Sequence, residues 1–307
     1  MLYFHAQMQP IKTYHLANEK LRLTVLDHGA IIQRLEVKDQ TGNFINVVRG
    51  FETPEAYRTD TKSFGACVGP FAGRIAGGRC AVEGKQIRLD SEEGVHLHGG
   101  KAAWGRRFWH VHTVEADAIT LTLTCPHDEN GYPGNVAASV TYRLQDNELH
   151  IVHQATTDRP TLLNMTNHSY FDLSGKGDID AQRLQVKADR YLEVDDTLLP
   201  TGKLLPVEGT TYDFRKEQKI GATGMDDTFV FDGVEGEVIS LFSKSTGLRM
   251  QVMTNQPAAV IFTPPDRTSI CFETQNFPDA PNHQHFPSAV LRPGATYGNH
   301  SIFRFSN

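Results

Sequence analysis

Apolar and polar residues alternate with a period of two along much of the chain. Leu21, Leu23 and Val25; Ile119, Leu121 and Leu123, separated by threonines; Val136, Ala138, Val140, Tyr142 and Leu144; and Leu149, Ile151 and His153 each put their side chains on one face of an extended segment. Such alternation marks half-buried strands. Gln145-Asp146-Asn147-Glu148 is a short polar join that brings one strand back antiparallel to the next, and Asp39-Gln40-Thr41-Gly42-Asn43 has the residues a hairpin turn needs. No segment keeps a helical period over three or more turns. The pattern predicts an all-β chain of packed antiparallel sheets.

A length of 307 residues allows one large domain or two ordinary ones. Without a Pro/Ser-rich linker, a low-complexity run, a block of like charge or a short repeat, residues 1–307 read as a single domain. The net charge is −6, from 30 basic and 36 acidic residues well interspersed. That gives no electrostatic footprint for nucleic acid or an anionic membrane and suits a small neutral ligand. The start, Met1-Leu2-Tyr3-Phe4-His5-Ala6-Gln7, lacks the basic residues and apolar core of a secretory leader, and no run approaches the ~18 apolar residues of a membrane span. A cytoplasmic location is therefore expected. The cysteines Cys67, Cys80, Cys125 and Cys271 are scattered without a C-x-x-C pair, as reduced thiols packed like small apolar side chains would be. Nothing in the chain fixes an oligomeric state.

Candidate chemistry begins with Asn164-Met165-Thr166-Asn167-His168-Ser169-Tyr170-Phe171, which sets a histidine among strand formers and hydrogen-bonding side chains. A histidine titrates near neutral pH and can move protons; the blander reading is a buried histidine satisfied by its Asn and Ser neighbours. His168 is not isolated. Similar punctuation recurs in Gly69-Pro70-Phe71-Ala72-Gly73-Arg74-Ile75, His96-Leu97-His98-Gly99-Gly100, Gly224-Met225-Asp226-Asp227 and Phe272-Glu273-Thr274-Gln275-Asn276-Phe277-Pro278-Asp279. In this order, and followed by Leu291-Arg292-Pro293-Gly294, these segments resemble the aldose 1-epimerase, or galactose mutarotase, family over nearly the whole chain.

The resemblance implies a large β-sandwich, the galactose mutarotase-like supersandwich, whose concave sheet holds a sugar in an open cleft. It implies interconversion of the α and β anomers of a free aldose, with Glu273 as base on the C1 hydroxyl and His168 as acid toward the ring oxygen. It further implies that His98 hydrogen-bonds the sugar near the reacting end, that Asp226 accepts from sugar hydroxyls and that Arg74 donates to one. One base and one acid suffice for this reaction, so no cofactor and no metal are expected.

Residue by residue, the readings stay open. Glu273 follows Ile270-Cys271-Phe272, neighbours that would desolvate a carboxylate and raise its pKa, but it could equally be a strand-end glutamate in solvent. Arg74 could form a surface salt bridge. In a strand, His96 and His98 share a face and could hold a metal, and His110/His112 and His283/His285 repeat the spacing. Against this, a cupin-like site would need a carboxylate soon after His98, where Gly99-Gly100-Lys101 stands instead. Trp104 and Trp109 read as core.

The chain departs from the family pattern at Gly73, where an asparagine is usual, and at Val260, where a glutamine is. The reaction class is thus better supported than the preferred sugar. Alternatives are a non-catalytic sugar-binding protein on the same fold, a glycosidase using Asp226 and Glu273, and a hexose-6-phosphate 1-epimerase, for which Arg106-Arg107 is the only local basic pair.

Overall fold

A computed structural model describes residues 9–307; the stretch read above for a leader lies outside the described residues. Strands dominate, and the helical pieces among the described residues are four short 3-10 turns. The alternating segments are strands: Leu21–Leu26, Ala118–Cys125, Val136–Gln145 and Glu148–Thr157. Asp146 and Asn147 form the two-residue link between the last two, with Asp146 at φ 51°, the left-handed backbone such hairpins require.

Every pairing between named strands is antiparallel, as in Val136–Gln145 with Glu148–Thr157 and Ala258–Phe262 with Ile270–Gln275. A nine-stranded sheet runs from His110–Val114 through Glu148–Thr157 and Tyr297–Ser306 to Gln218–Lys219. A seven-stranded sheet has the order Pro200–Pro206, Arg190–Val194, Asp226–Val230, Ala258–Phe262, Ile270–Gln275, Tyr170–Phe171, Val48–Arg49. A four-stranded sheet is formed by the segments between Thr13 and Asn46.

The largest apolar core draws on all three sheets: Leu23 and Leu35, Val140 and Phe303, Phe171, Ile261 and Phe272. Phe171 of the seven-stranded sheet stacks on Phe303 of the nine-stranded one, ring centroids 5.2 Å apart. Trp104 and Trp109 lie in this core as expected. Because side chains alternate across a strand, sending Phe171, Ile261 and Phe272 into the core turns Tyr170, Val260, Phe262, Cys271 and Glu273 to the opposite face. That opposite face is the floor of the cleft.

Candidate active site

Register across the seven-stranded sheet sets the floor. Glu273 pairs with Val260 and Val260 with Thr228, while Tyr170 pairs with Cys271, Cys271 with Phe262, and Phe262 with Asp226. Directly paired residues share a face, so these side chains form two adjacent rows. The cleft above them has a volume of ≈ 260 Å³ and is walled by Thr61–Ser63, Gly73, Arg74, Leu97, His98 and His168, and also by Val194, Leu198 and Pro200. Drug-sized sites usually run to ~300–1,000 Å³, so this one suits a single small ring.

His168 lies between Thr166–Asn167 and Tyr170–Phe171 and is clamped by its main chain: its N–H donates to Ala66 O (2.9 Å) and its carbonyl accepts from Gly65 N–H (3.0 Å). The polar residues around it are scaffold. Asn164 bonds the carbonyls of Ala72 and Asn276, Asn167 bonds that of Gly65, and Thr166 bonds that of Thr274. Tyr170 stacks on the imidazole at 5.0 Å, and its hydroxyl donates to Lys62 O, tying ring and wall together.

Nε2 of His168 lies 3.4 Å from Glu273 Oε1, with the residues 6% and 2% exposed. Glu273 is thus buried, and the solvent-exposed alternative is set aside. Its Oε2 has no partner among the described residues. Burial pushes its carboxyl well above the ordinary value; Asp226 adds to the rise and Arg74 opposes it. Burial lowers the His168 imidazole to about 4, partly offset by the raising effect of its own main chain. An acidic and a basic group this close, the carboxyl raised and the imidazole lowered, can exchange a proton with each other and with a ligand.

His98 follows the strand Val95–Leu97 and takes a left-handed backbone, φ 52°. Gly73 N–H donates to its Nδ1 at 3.2 Å, which leaves the ring proton on Nε2 as a donor. Gly99 beside it is required: at φ +86°, a Cβ there would lie 2.3 Å from Gly69 O. Arg74 Nη2 meets Asp226 Oδ2 at 3.3 Å across the cleft. The loop after Glu273 secures that wall, because Asp279 N–H donates to Arg74 O and Asp279 Oδ1 accepts from Ala76 N–H. The five residues singled out in the sequence, His168, Glu273, Arg74, His98 and Asp226, therefore line one cleft.

The pairing of His96 with His98 does not hold. The chain leaves its strand at Leu97, so His98 faces the cleft while His96 is buried, with Nδ1 against Asp90 O (2.7 Å) and Nε2 against Tyr132 Oη (2.6 Å). A different trio, His98, His168 and Glu273, brings donor atoms within 4.8 Å of one another and could hold a metal ion. Arg107, half of the basic pair considered for a phosphate, is bound to Glu129 at 2.6 Å.

Sequence reasoning missed Lys62, Thr228 and the apolar rim of Val194 and Leu198, none of which lies in a motif. It also read Cys271 only as packing, although Cys271 stands two residues before Glu273 on the same strand, a spacing that puts both side chains on one face.

The aldose 1-epimerase family model matches residues 12–304. The galactose mutarotase of Homo sapiens is 34% identical over 323 residues, covering 96% of this chain and 94% of that one. The aldose 1-epimerase of Escherichia coli K12 is 30% identical over 331 residues, covering 97% and 96%. Among solved structures, an aldose epimerase homologue from C. elegans superposes with a TM-score of 0.93 at 28% identity over 97% of this chain and 99% of that one. A galactose 1-epimerase from Lactobacillus acidophilus does so with 0.86 at 27% identity over 99% and 97%.

Proposed function

Because the chain belongs to the aldose 1-epimerase family, we propose that it is an isomerase that interconverts the α and β anomers of a free aldose by opening and reclosing the sugar ring. The observation that carries this reading is the buried carboxylate–imidazole pair, Glu273 and His168, 3.4 Å apart where the floor of a cleft of single-ring size meets its wall.

Burial favours one proton on Glu273 and a neutral imidazole. Transfer of that proton to His168 Nε2 yields carboxylate and imidazolium, the working form. Glu273 then takes the proton of the C1 hydroxyl, whose oxygen becomes the carbonyl. The bond between C1 and the ring oxygen breaks, its electron pair stays on that oxygen, and His168 Nε2 supplies the proton. Rotation about the C1–C2 bond presents the other carbonyl face, and the same steps in reverse close the ring. His98 Nε2–H is the donor nearest the reacting end, while Arg74 and Asp226 give one donor and one acceptor for ring hydroxyls. Four buried free thiols suit a reducing compartment, so we assign the protein to the cytoplasm.

Polarimetry of freshly dissolved α-glucose and α-galactose tests the reading. Optical rotation should relax faster with protein than without, and should do so after exhaustive chelation, since each step uses only the pair's own protons. Binding without faster relaxation, for any aldose, would make this a sugar-binding protein instead. Loss of activity on chelation with recovery on adding zinc would turn His98, His168 and Glu273 into metal ligands.

A further inference from the structure

Nδ1 of His168, the nitrogen turned away from Glu273, lies 3.6 Å from the Sγ of Cys271, within the longer reach of a sulfur hydrogen bond. Both residues are buried, and Cys271 is held on the strand that carries Glu273, its backbone paired with Tyr170, the residue stacked on the imidazole. A thiol sulfur can accept from an imidazole N–H, so this contact suits a hydrogen on Nδ1.

We propose that Cys271 is a positioning residue: its Sγ shares the Nδ1–H of His168, holding that proton in place so that Nε2, the nitrogen facing Glu273, takes and returns the working proton. Were the neutral ring to carry its hydrogen on Nε2 instead, it could not accept the proton of Glu273, and the imidazolium that serves the ring oxygen would not form. The nitrogen opposite a reacting one commonly sets its tautomer through such a contact. The neutral thiol needs no redox chemistry for this. Burial keeps it protonated, its pKa well above the ordinary thiol value.

This inference rests on the acid role given to His168, but its first readout does not need turnover. In 15N NMR of imidazole-labelled protein at neutral pH, the His168 ring should be the Nδ1–H tautomer. Cys271→Ala should give a mixture of tautomers, and kcat should fall about threefold to tenfold, the size expected of one weak hydrogen bond. KM should be nearly unchanged, because Cys271 reaches the sugar only through His168. Cys271→Ser, which restores an acceptor at a slightly different reach, should lie between the two. A wild-type ring protonated on Nε2 overturns the proposal, and so does a folded Cys271→Ala protein that keeps both the Nδ1–H tautomer and full kcat. If no aldose is turned over at all, the epimerase reading falls while the tautomer spectra still decide the role of Cys271.

Discussion

Glu273 and His168 titrate as a pair, because a single proton serves both across 3.4 Å. Burial raises the carboxyl well above its usual range and lowers the imidazole to about 4. The active form holds one proton. Activity is therefore lost on the acid side when a second proton enters the imidazole, and on the alkaline side only when the raised carboxyl gives up the last one. We expect kcat/KM to show an acid limb near pH 4; an acid limb centred near 6.5, the ordinary imidazole value, would contradict this pairing. The same residue scale governs specificity. Gly73 sits at φ +83°, and a Cβ there would lie 3.0 Å from Pro278, so an asparagine could not enter without moving the wall. Val260 puts an isopropyl group beside Glu273. Each hydroxyl left without a partner forgoes ~0.5–1.5 kcal/mol, so we expect an aldose that lacks or inverts a hydroxyl, or has a modified end, to exceed galactose and glucose in kcat/KM. An NMR screen of anomer exchange across hexoses, pentoses, deoxy sugars and 6-phosphates decides this. Galactose as best substrate at ~10⁴ M⁻¹s⁻¹ or more would mean the two substitutions are neutral.

Among the elements, the long hairpin strands were the most legible, since their period of two is unbroken and their cores are made of the alternating residues themselves. What period alone could not reveal is which strands meet at the cleft: Tyr170, Phe262 and Asp226 are far apart in sequence and are joined only by register. The shared face that the spacing of His96 and His98 left open is not realised, because the strand ends between them. His153 carries the alternation of Glu148–Thr157 into the core, but as a histidine whose two ring nitrogens have no partner among the described residues, and burial lowers its pKa to about 3. The unfolded chain takes up this proton near pH 6.5, the folded chain only near 3. Its contribution is thus intact above 6.5 and is lost as pH falls from 6.5 toward 3. His153→Leu should add the ~1–3 kcal/mol of stability that an unpaired buried polar group costs, should thereby raise the melting temperature, and should flatten the decline in stability between pH 6.5 and 4. Calorimetry at several pH values checks both; a lower melting temperature at pH 5 would mean that the imidazole packs better than an aliphatic side chain.

At the scale of the molecule, sheets from both ends of the chain contribute to one apolar core, with Leu16 and Phe305 among its members. We expect thermal unfolding as a single transition, with calorimetric and van 't Hoff enthalpies equal; two resolved transitions would separate the chain into units that residue pattern did not reveal. The family was legible because its motifs are the pieces of the cleft wall and floor, and their order along the chain is preserved. The thiol behind His168 was not, because its role depends on a contact made only in the folded chain. The proposed reaction depends on Glu273 as the base. Glutamine keeps its shape but cannot take the C1 hydroxyl proton, and loss of a general base costs on the order of 10²–10⁴ in rate. The direct test is the anomer exchange rate of the best aldose, measured by NMR for wild-type and Glu273→Gln protein: kcat should fall at least a hundredfold with the fold unchanged, and a variant that keeps more than half of wild-type kcat would contradict the role of Glu273.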